Sequence, residues 1–393
     1  MKKTIMLAPS LALMSVMAHA DVTIYGVFDT TMESVSAKGA TSPGKNVAST
    51  SRVNSNSSLI GFKGYEDLGD GLKTIWQVES GIAMDTGGGY FATRDTFVGL
   101  SSATAGTVQM GLLTGPARMI PALWDLNQGT TGIGMGGAIA GKLGNLVFVD
   151  PALRAQSTFA PANGTGNTQM QLGPFETRTR NAVMYTSPTW HSTSASALYA
   201  PGETSTSSHA YKAEASIKYD DGATYASAAY GRLDTGVDDN AALSQSAFRS
   251  LSTARAAAFY RFTPQTRVGL LFDRMEGQLT TAGAASLGGS TLRQNVWMAN
   301  GSLGITTNGK LIAQYAHAGE LTGGSPATAG HGNAQYYELG YEYSLSKRTI
   351  LKAIYVEVRN GASANYDFGI GSIGGVADGA KPRGIALGLR HTL

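Results

Sequence analysis

From end to end the chain repeats one pattern, side chains alternating between apolar and polar with a period of two. Tyr337, Leu339, Tyr341, Tyr343 and Leu345 form one face of a segment whose other face carries Tyr336, Glu338, Gly340 and Glu342. Ala213, Ala215, Ile217 and Tyr219 interleave with Glu214, Ser216 and Lys218. Leu72, Trp76 and Val78 oppose Lys73, Gln77 and Glu79, and Ile385, Leu387 and Leu389 oppose Gly388 and Arg390. Neighbouring side chains on a strand point to opposite faces, so each segment has one apolar and one polar wall. After the first twenty residues no stretch approaches the roughly 18 continuous apolar residues of a membrane helix. A chain of this kind crosses a bilayer only as a closed barrel, because lipid cannot satisfy unpaired backbone groups.

Sixteen segments are expected: 22–31, 57–66, 71–83, 92–101, 106–113, 180–187, 190–200, 209–220, 222–233, 252–263, 265–276, 292–304, 309–320, 333–345, 348–360 and 382–391. Their connections alternate between short turns, such as Asp220-Asp221-Gly222 and Thr307-Asn308-Gly309, and long stretches rich in Gly, Ser, Ala and Asn, such as 32–56, 234–251, 277–291 and 361–381. Tight turns at one end and long loops at the other are the habit of outer-membrane barrels, with the turns in the periplasm. An even count returns both ends to the periplasmic side, and sixteen strands enclose an aqueous channel rather than a filled core. The expected fold is therefore all-β, a transmembrane 16-stranded antiparallel barrel. In 222–233 and 348–360 both faces are mixed, and Arg94 shares its parity with Val98 and Leu100, so those phases stay open. The third long connection, 114–179, is far longer than ordinary loops. It carries Trp124, Phe148, Phe159 and Phe175, so it is expected to pack against the inner wall.

Lys2 and Lys3, an apolar run from Ile5 to Met17, and Ala18-His19-Ala20 have the form of an export signal. Residues 1–20 are read as that signal and 21–393 as a single barrel domain. Without Lys2 and Lys3 the 30 basic residues become 28 against 27 acidic ones, a balance that argues against nucleic acid as a partner. The chain has no cysteine, which excludes disulfides and thiolate metal sites. Its 51 glycines, 15% charged residues and mean hydropathy of -0.07 suit two-faced strands. Gly132, Gly134 and Gly137 match the spacing of a dinucleotide loop, but no strand precedes and no helix follows them. The histidines show no metal-ligand spacing, and no nucleophile context recommends an enzyme. No cofactor is expected. Tyr25, Trp76, Trp190, Tyr219 and Tyr260 are expected in interfacial girdles.

Several blocks resemble one family. Val22-Thr23-Ile24-Tyr25-Gly26-Val27-Phe28-Asp29 is similar to its opening strand. Gly61-Phe62-Lys63-Gly64-Tyr65-Glu66-Asp67-Leu68-Gly69-Asp70-Gly71-Leu72-Lys73 is the most specific stretch, followed by Arg94-Asp95-Thr96-Phe97-Val98-Gly99-Leu100 and Gly388-Leu389-Arg390-His391. On these residues the chain resembles the Gram-negative trimeric general porins, β-proteobacterial type. The resemblance implies a homotrimer in the bacterial outer membrane, in contact with membrane lipids and lipopolysaccharide. It implies a water-filled channel for passive diffusion of small hydrophilic solutes and ions, narrowed by the third loop folded into the barrel.

Three arginines facing that loop are typical of this type. Arg94 and Arg178 match two of them, and Arg180 shares the parity of Arg178. Where the third would stand, before Gly61, this chain has Leu59 or its neighbour Ser58, so weak rather than strong anion selectivity is expected. Asp125 and Asp150 are the candidate acidic partners in the loop, and Lys73 is a candidate on the polar wall. Between 114 and 180 there are five basic and three acidic residues, a positive surplus of two. The chain ends in Leu393 where the family usually has an aromatic residue. An adhesion or binding barrel, whose loops matter more than its lumen, is the alternative from a different class.

Overall fold

The computed structural model describes residues 21–89, 91–127, 132–146, 172–202, 210–237, 246–325, 328 and 331–393. The expected export signal, Asp150, Phe148 and Phe159 lie outside them. The strands are β1 (Asp21–Lys38), β2 (Val47–Ser55), β3 (Leu59–Gly69), β4 (Leu72–Gly81), β5 (Thr96–Ser102), β6 (Gly106–Leu113), β7 (Thr179–Thr186), β8 (Thr193–Pro201) and β9 (Tyr211–Asp220). They continue with β10 (Thr224–Asp234), β11 (Phe248–Arg261), β12 (Arg267–Leu279), β13 (Thr291–Gly304), β14 (Gly309–Ala318), β15 (Ala334–Ser344), β16 (Thr349–Asn360) and β17 (Lys381–Thr392). Apart from β2 with β3, each pairs antiparallel with the next around the sheet, and β17 returns to β1 with Val27 opposite Thr392 and Lys38 opposite Lys381. β2 and β3 both pair with β1, Thr30 facing Ser55 and Val27 facing Leu59, so they are two halves of one stave. The result is a closed 16-stranded antiparallel barrel.

The kink between those halves corrects the expected first loop. Residues 32–56 are not one long connection: β1 runs on to Lys38 and the chain returns through β2. Ser57 takes a left-handed conformation (φ 56). Before it, Arg52, Asn54 and Asn56 point inward; after it, Gly61 and Lys63 do, both meeting the inward ring of Tyr25. A single left-handed residue thus switches the inward parity from even to odd, which hides the strand from any search for one unbroken alternation. The fourth expected segment, 92–101, is also shorter than expected. It begins at Thr96 rather than at 92, so Arg94 precedes the strand and its parity with Val98 carries no directional meaning.

Outward side chains form an apolar band bounded by aromatic belts. Tyr185, Trp190, Tyr219, Tyr260 and Tyr343 lie exposed toward the short turns, and Tyr199, Tyr230, Trp297 and Tyr355 lie exposed higher on the wall. Tyr25 is not among them: its hydroxyl donates to Glu79 Oε2 inside the barrel at 3.0 Å. Above the upper belt the outer wall turns charged, with Arg232, Arg274, Glu276, Arg293, Glu357 and Arg359. The tightest short turn is made by Gly69, Asp70 and Gly71, all at positive φ (90, 50 and 76), with Asp67 Oδ1 accepting from the Gly69 amide at 2.9 Å.

The mixed faces of 222–233 and 348–360 have a common cause. On β10 and β16 the inward residues Tyr225, Leu233, Ile354, Val356 and Val358 are apolar and buried, because the third loop and the last long loop cover them. Both walls of these strands are apolar, one against lipid and one against protein, so polarity alone cannot assign their phase.

Candidate pore constriction

The third loop enters the lumen at Thr114 through a helix, Pro116–Trp124. Pro116 supplies a preset φ where an amide donor is dispensable. The helix start faces a carboxylate: Glu214 Oε2 on β9 accepts from the Ala117 amide at 2.8 Å, satisfying an orphan donor at the positive end of the helix dipole. Ala117, Ile120, Pro121 and Trp124 form the buried face. Ile120 and Trp124 belong to the same apolar cluster as Tyr225, Phe259 and Leu271 of the wall. At the far end Asn300 Nδ2 donates to the Trp124 carbonyl at 2.6 Å, and Arg267 donates to the Trp124 and Asp125 carbonyls.

From there the loop is fastened strand by strand. Asp125 accepts from the amides of Asn127 (2.9 Å) and Gly136 (3.0 Å) and from Gln314 Nε2 (3.0 Å). Burial raises its carboxyl above the usual range against those hydrogen bonds. Asn127 Nδ2 donates to Glu338 Oε1 at 2.6 Å, and Gln294 Oε1 accepts from the Gly144 amide at 2.9 Å. The returning limb is held by Lys212, which bonds the Pro174 carbonyl at 2.9 Å and pairs with Glu214 at 2.9 Å. Arg255 on β11 holds both limbs: it pairs with Glu176 and donates to the carbonyls of Ala117 (3.0 Å) and Phe175 (3.4 Å), while Asp273, itself accepting from the Thr253 hydroxyl, steadies it from the wall. The expectation that Trp124 and Phe175 pack inside is met; both are fully buried.

Where the loop begins, basic groups converge. Arg94 pairs with Glu79 through Nε, and its amide donates to the Glu79 carbonyl at 2.9 Å. Arg178 Nε lies 2.6 Å from Asp95 Oδ2, and its Nη2 lies 3.6 Å from Glu79. Asp95 is fixed in turn by the Thr114 amide (2.6 Å) and hydroxyl (2.9 Å). A third guanidinium comes from the loop helix itself. Burial, then the charges of Arg178 and Arg94, push Arg118 below its ordinary range, and its Nη1 has no hydrogen-bond partner among the described residues. Three guanidiniums therefore share this corner with Glu79, Asp95 and the Tyr25 hydroxyl, and Glu176, paired with Arg255, also acts on Arg118.

Of the residues singled out in the sequence, Arg94 and Arg178 meet here. Arg180 does not: a bulge at Asn181 (φ 54) leaves Thr179 and Ala182 buried and Arg180 exposed, so parity across the bulge misleads. Asp125 sits against β14, where it fastens the loop. Lys73 lies toward the short turns with its ammonium 4.7 Å from the Tyr65 ring centroid, six residues along β4 from Glu79, roughly 20 Å away. Leu59 is the register partner of Gly81, and a Cβ on Gly81 would stand 3.9 Å from the Arg94 Cδ, so Leu59 borders the corner from the next stave. Glu79, Asp95 and Arg118 were missed as site residues. Glu79 shared the polar parity of Lys73 and Gln77, the one signal that pointed to it.

A closed barrel with an apolar outer band and a charged lumen narrowed by an inserted loop is the build of a membrane-spanning channel. The chain belongs to the Gram-negative porin family, whose sequence profile it matches over residues 7–363. That membership places it in the outer membrane, among channels rather than enzymes. It is similar to the major outer membrane protein P.IB of Neisseria gonorrhoeae, with 36% identity over 119 residues, 30% of this chain and 34% of that protein. The same protein of Neisseria meningitidis serogroup B is 39% identical over 116 residues. These alignments span about a third of the relatives' length. In fold it is similar to an anion-selective porin from Comamonas acidovorans, with a TM-score of 0.71, 22% identity, and coverage of 95% of this chain and 100% of that one. OmpT of Vibrio cholerae in its trimer form gives 0.60 at 16% identity, covering 95% and 99%.

Proposed function

We propose that this chain, exported through residues 1–20, forms a water-filled channel for passive diffusion of small hydrophilic solutes and ions, with a weak preference for anions. The barrel domain is 21–393, and 114–179 is its constriction loop. The observation that carries the preference is the corner of Arg94, Arg118 and Arg178 against Glu79 and Asp95, a net positive charge beside the loop. Two unit charges about 5 Å apart interact by roughly 0.8 kcal/mol in water, and more where protein excludes it. One surplus charge therefore favours anions by a modest factor, about fourfold.

Lys63 and Lys73 extend the positive wall toward the short turns. The outer-membrane location of the P.IB proteins and the trimer form of OmpT support a homotrimer in the outer membrane, and contact with its lipid and lipopolysaccharide follows from that reading. Planar-bilayer recording tests the reading: steady unitary conductance with an anion-leaning zero-current potential is expected. A silent barrel that nevertheless folds would favour the adhesion alternative.

A further inference from the structure

The helix that carries the third loop into the lumen has two unlike faces. Ala117, Ile120, Pro121 and Trp124 recur at helical spacing and are buried against the wall, over β9 to β12. The opposite face therefore looks across the lumen. At 3.6 residues per turn, Met119 and Ala122 stand at its centre, flanked by Arg118 and Leu123. Met119 is 43% exposed and Leu123 42%, and four residues of helix place their side chains next to each other. Scattered exposed apolar residues are ordinary on a protein surface, but the inner lining of a channel barrel is polar. Among the described residues Tyr65, near the short turns, is the other large apolar side chain so exposed on the inner side.

Charge lies beside this apolar face rather than on it. Asp125, the acid expected to face the basic wall, is turned onto Gln314 of β14. At the start of the helix Arg118 feels the charges of Arg178 and Arg94. The Arg94 side chain is 21% exposed against 6% for Arg178, so of these two Arg94 is the one a passing solute meets. Lys63, exposed on the uncovered stave β3, adds a second cation on that side. From Arg118 to Leu123 the helix rises about 7.5 Å, the reach of one six-membered ring with its carboxylate.

We propose that the constriction selects monocarboxylates with an alkyl or aryl body, the carboxylate on Arg94 and the hydrocarbon against Met119 and Leu123. The proposal rests on the porin reading for the passage itself and adds a substrate class to its anion preference. A carboxylate gains charge-assisted hydrogen bonds from the guanidinium. Its hydrocarbon body releases water from two apolar side chains that otherwise stay wet, and the unbranched Met119 adapts to bodies of different outline. A polyhydroxylated acid gains the charge alone, and an uncharged hydrocarbon gains the apolar contact alone.

The test is block of the unitary current of the full protein in a planar bilayer, in potassium chloride at pH 7. Cyclohexanecarboxylate, quinate (the same carbon skeleton with hydroxyls) and cyclohexanecarboxamide are titrated separately. Half-block by cyclohexanecarboxylate should need about tenfold less solute than half-block by quinate or by the amide. Met119→Gln with Leu123→Gln, checked for unheated gel mobility, should bring the ratio of the two acids to within about twofold by weakening the apolar one. Arg94→Gln should raise both half-blocking concentrations and keep their ratio. Equal block by the two acids, an amide as potent as the acid, an unchanged ratio in the double variant, or an Arg94 variant blocked as easily as the wild type overturns the proposal. A barrel silent in potassium chloride overturns the porin reading along with it, whereas a conducting barrel indifferent to cyclohexanecarboxylate overturns this proposal alone.

Discussion

Arg255 and Glu176 form an ion pair sealed on both sides, their side chains 1% and 4% exposed, across the junction between the barrel wall and the end of the third loop. With Asp273 also on Arg255, one cation balances two buried acids. Burial raises Glu176 above the usual carboxylate range in spite of Arg255. Removing the cation would leave Asp273 uncompensated and Glu176 with only the weaker pull of Arg118 and Lys142, a loss on the order of 3–5 kcal/mol. Arg255→Ala should therefore loosen the loop while the sheet, paired all round, persists. Single-channel traces should show frequent transient steps, and unheated gel mobility should stay that of a folded barrel. Quiet traces would show that the loop is held elsewhere.

Selectivity should follow the corner of three arginines. Arg94→Gln with Arg178→Gln should move the zero-current potential toward cations, and Arg118→Gln alone should move it the same way. Leu59→Arg, placed beside Gly81 and Arg94, should move it toward anions. Every shift should shrink as salt rises past about 0.1 M, where screening reaches about 10 Å. A cation-selective wild type, or an inert double variant, would show that other groups set the sign.

Shortening the loop tests the constriction directly. Deleting 126–160 while retaining the helix and the Glu176 limb should raise unitary conductance in a barrel that still resists heat. Conductance equal to that of the wild type would mean that the narrowest point lies elsewhere.

The loop should also respond to pH. Burial lowers Lys142 from 10.5 to about 8, against the pull of Asp367 and Glu176. Between those values the detached loop binds a proton that the seated loop does not, so seating strengthens as pH rises from about 8 toward 10.5. The gain is roughly 3 kcal/mol across the window, and it is absent below it. Open-channel noise should fall from pH 7 to pH 10 in the wild type and stay level in Lys142→Met.

The barrel was legible in the sequence because the lipid and the water impose opposite demands on successive residues, as on Tyr337 to Leu345. The signal fails where those demands fail. Ser57 shifts the phase within one stave, Asn181 does so before Ala182, and on β16 the inner wall meets protein rather than water. Arg94 and Arg178 were recovered through family-like blocks, which fix position but not neighbours. Arg118 and Arg255 could not be recovered that way, since their roles depend on how a long loop folds back across the barrel. Tyr25 misled because an aromatic residue near a strand end serves equally well in a girdle or, as here, as a donor to Glu79.

The described part of the inserted loop covers the wall from β9 round to β17 and reaches the upper part of β1 and β2, where Gly132 meets Glu33, Asn54 and Asn56, and it leaves the staves around Lys63, Gln77 and Arg94 open. Passage through such a barrel is off-centre. A solute brushes one sector, and the opposite sector serves as foundation. The two duties are thus carried by different stretches of chain and can be altered separately: exchanging side chains on β3 to β5 between related barrels retunes what passes without unseating the loop. Changes on β11 or β14 alter how firmly the passage keeps its width without touching what the solute meets.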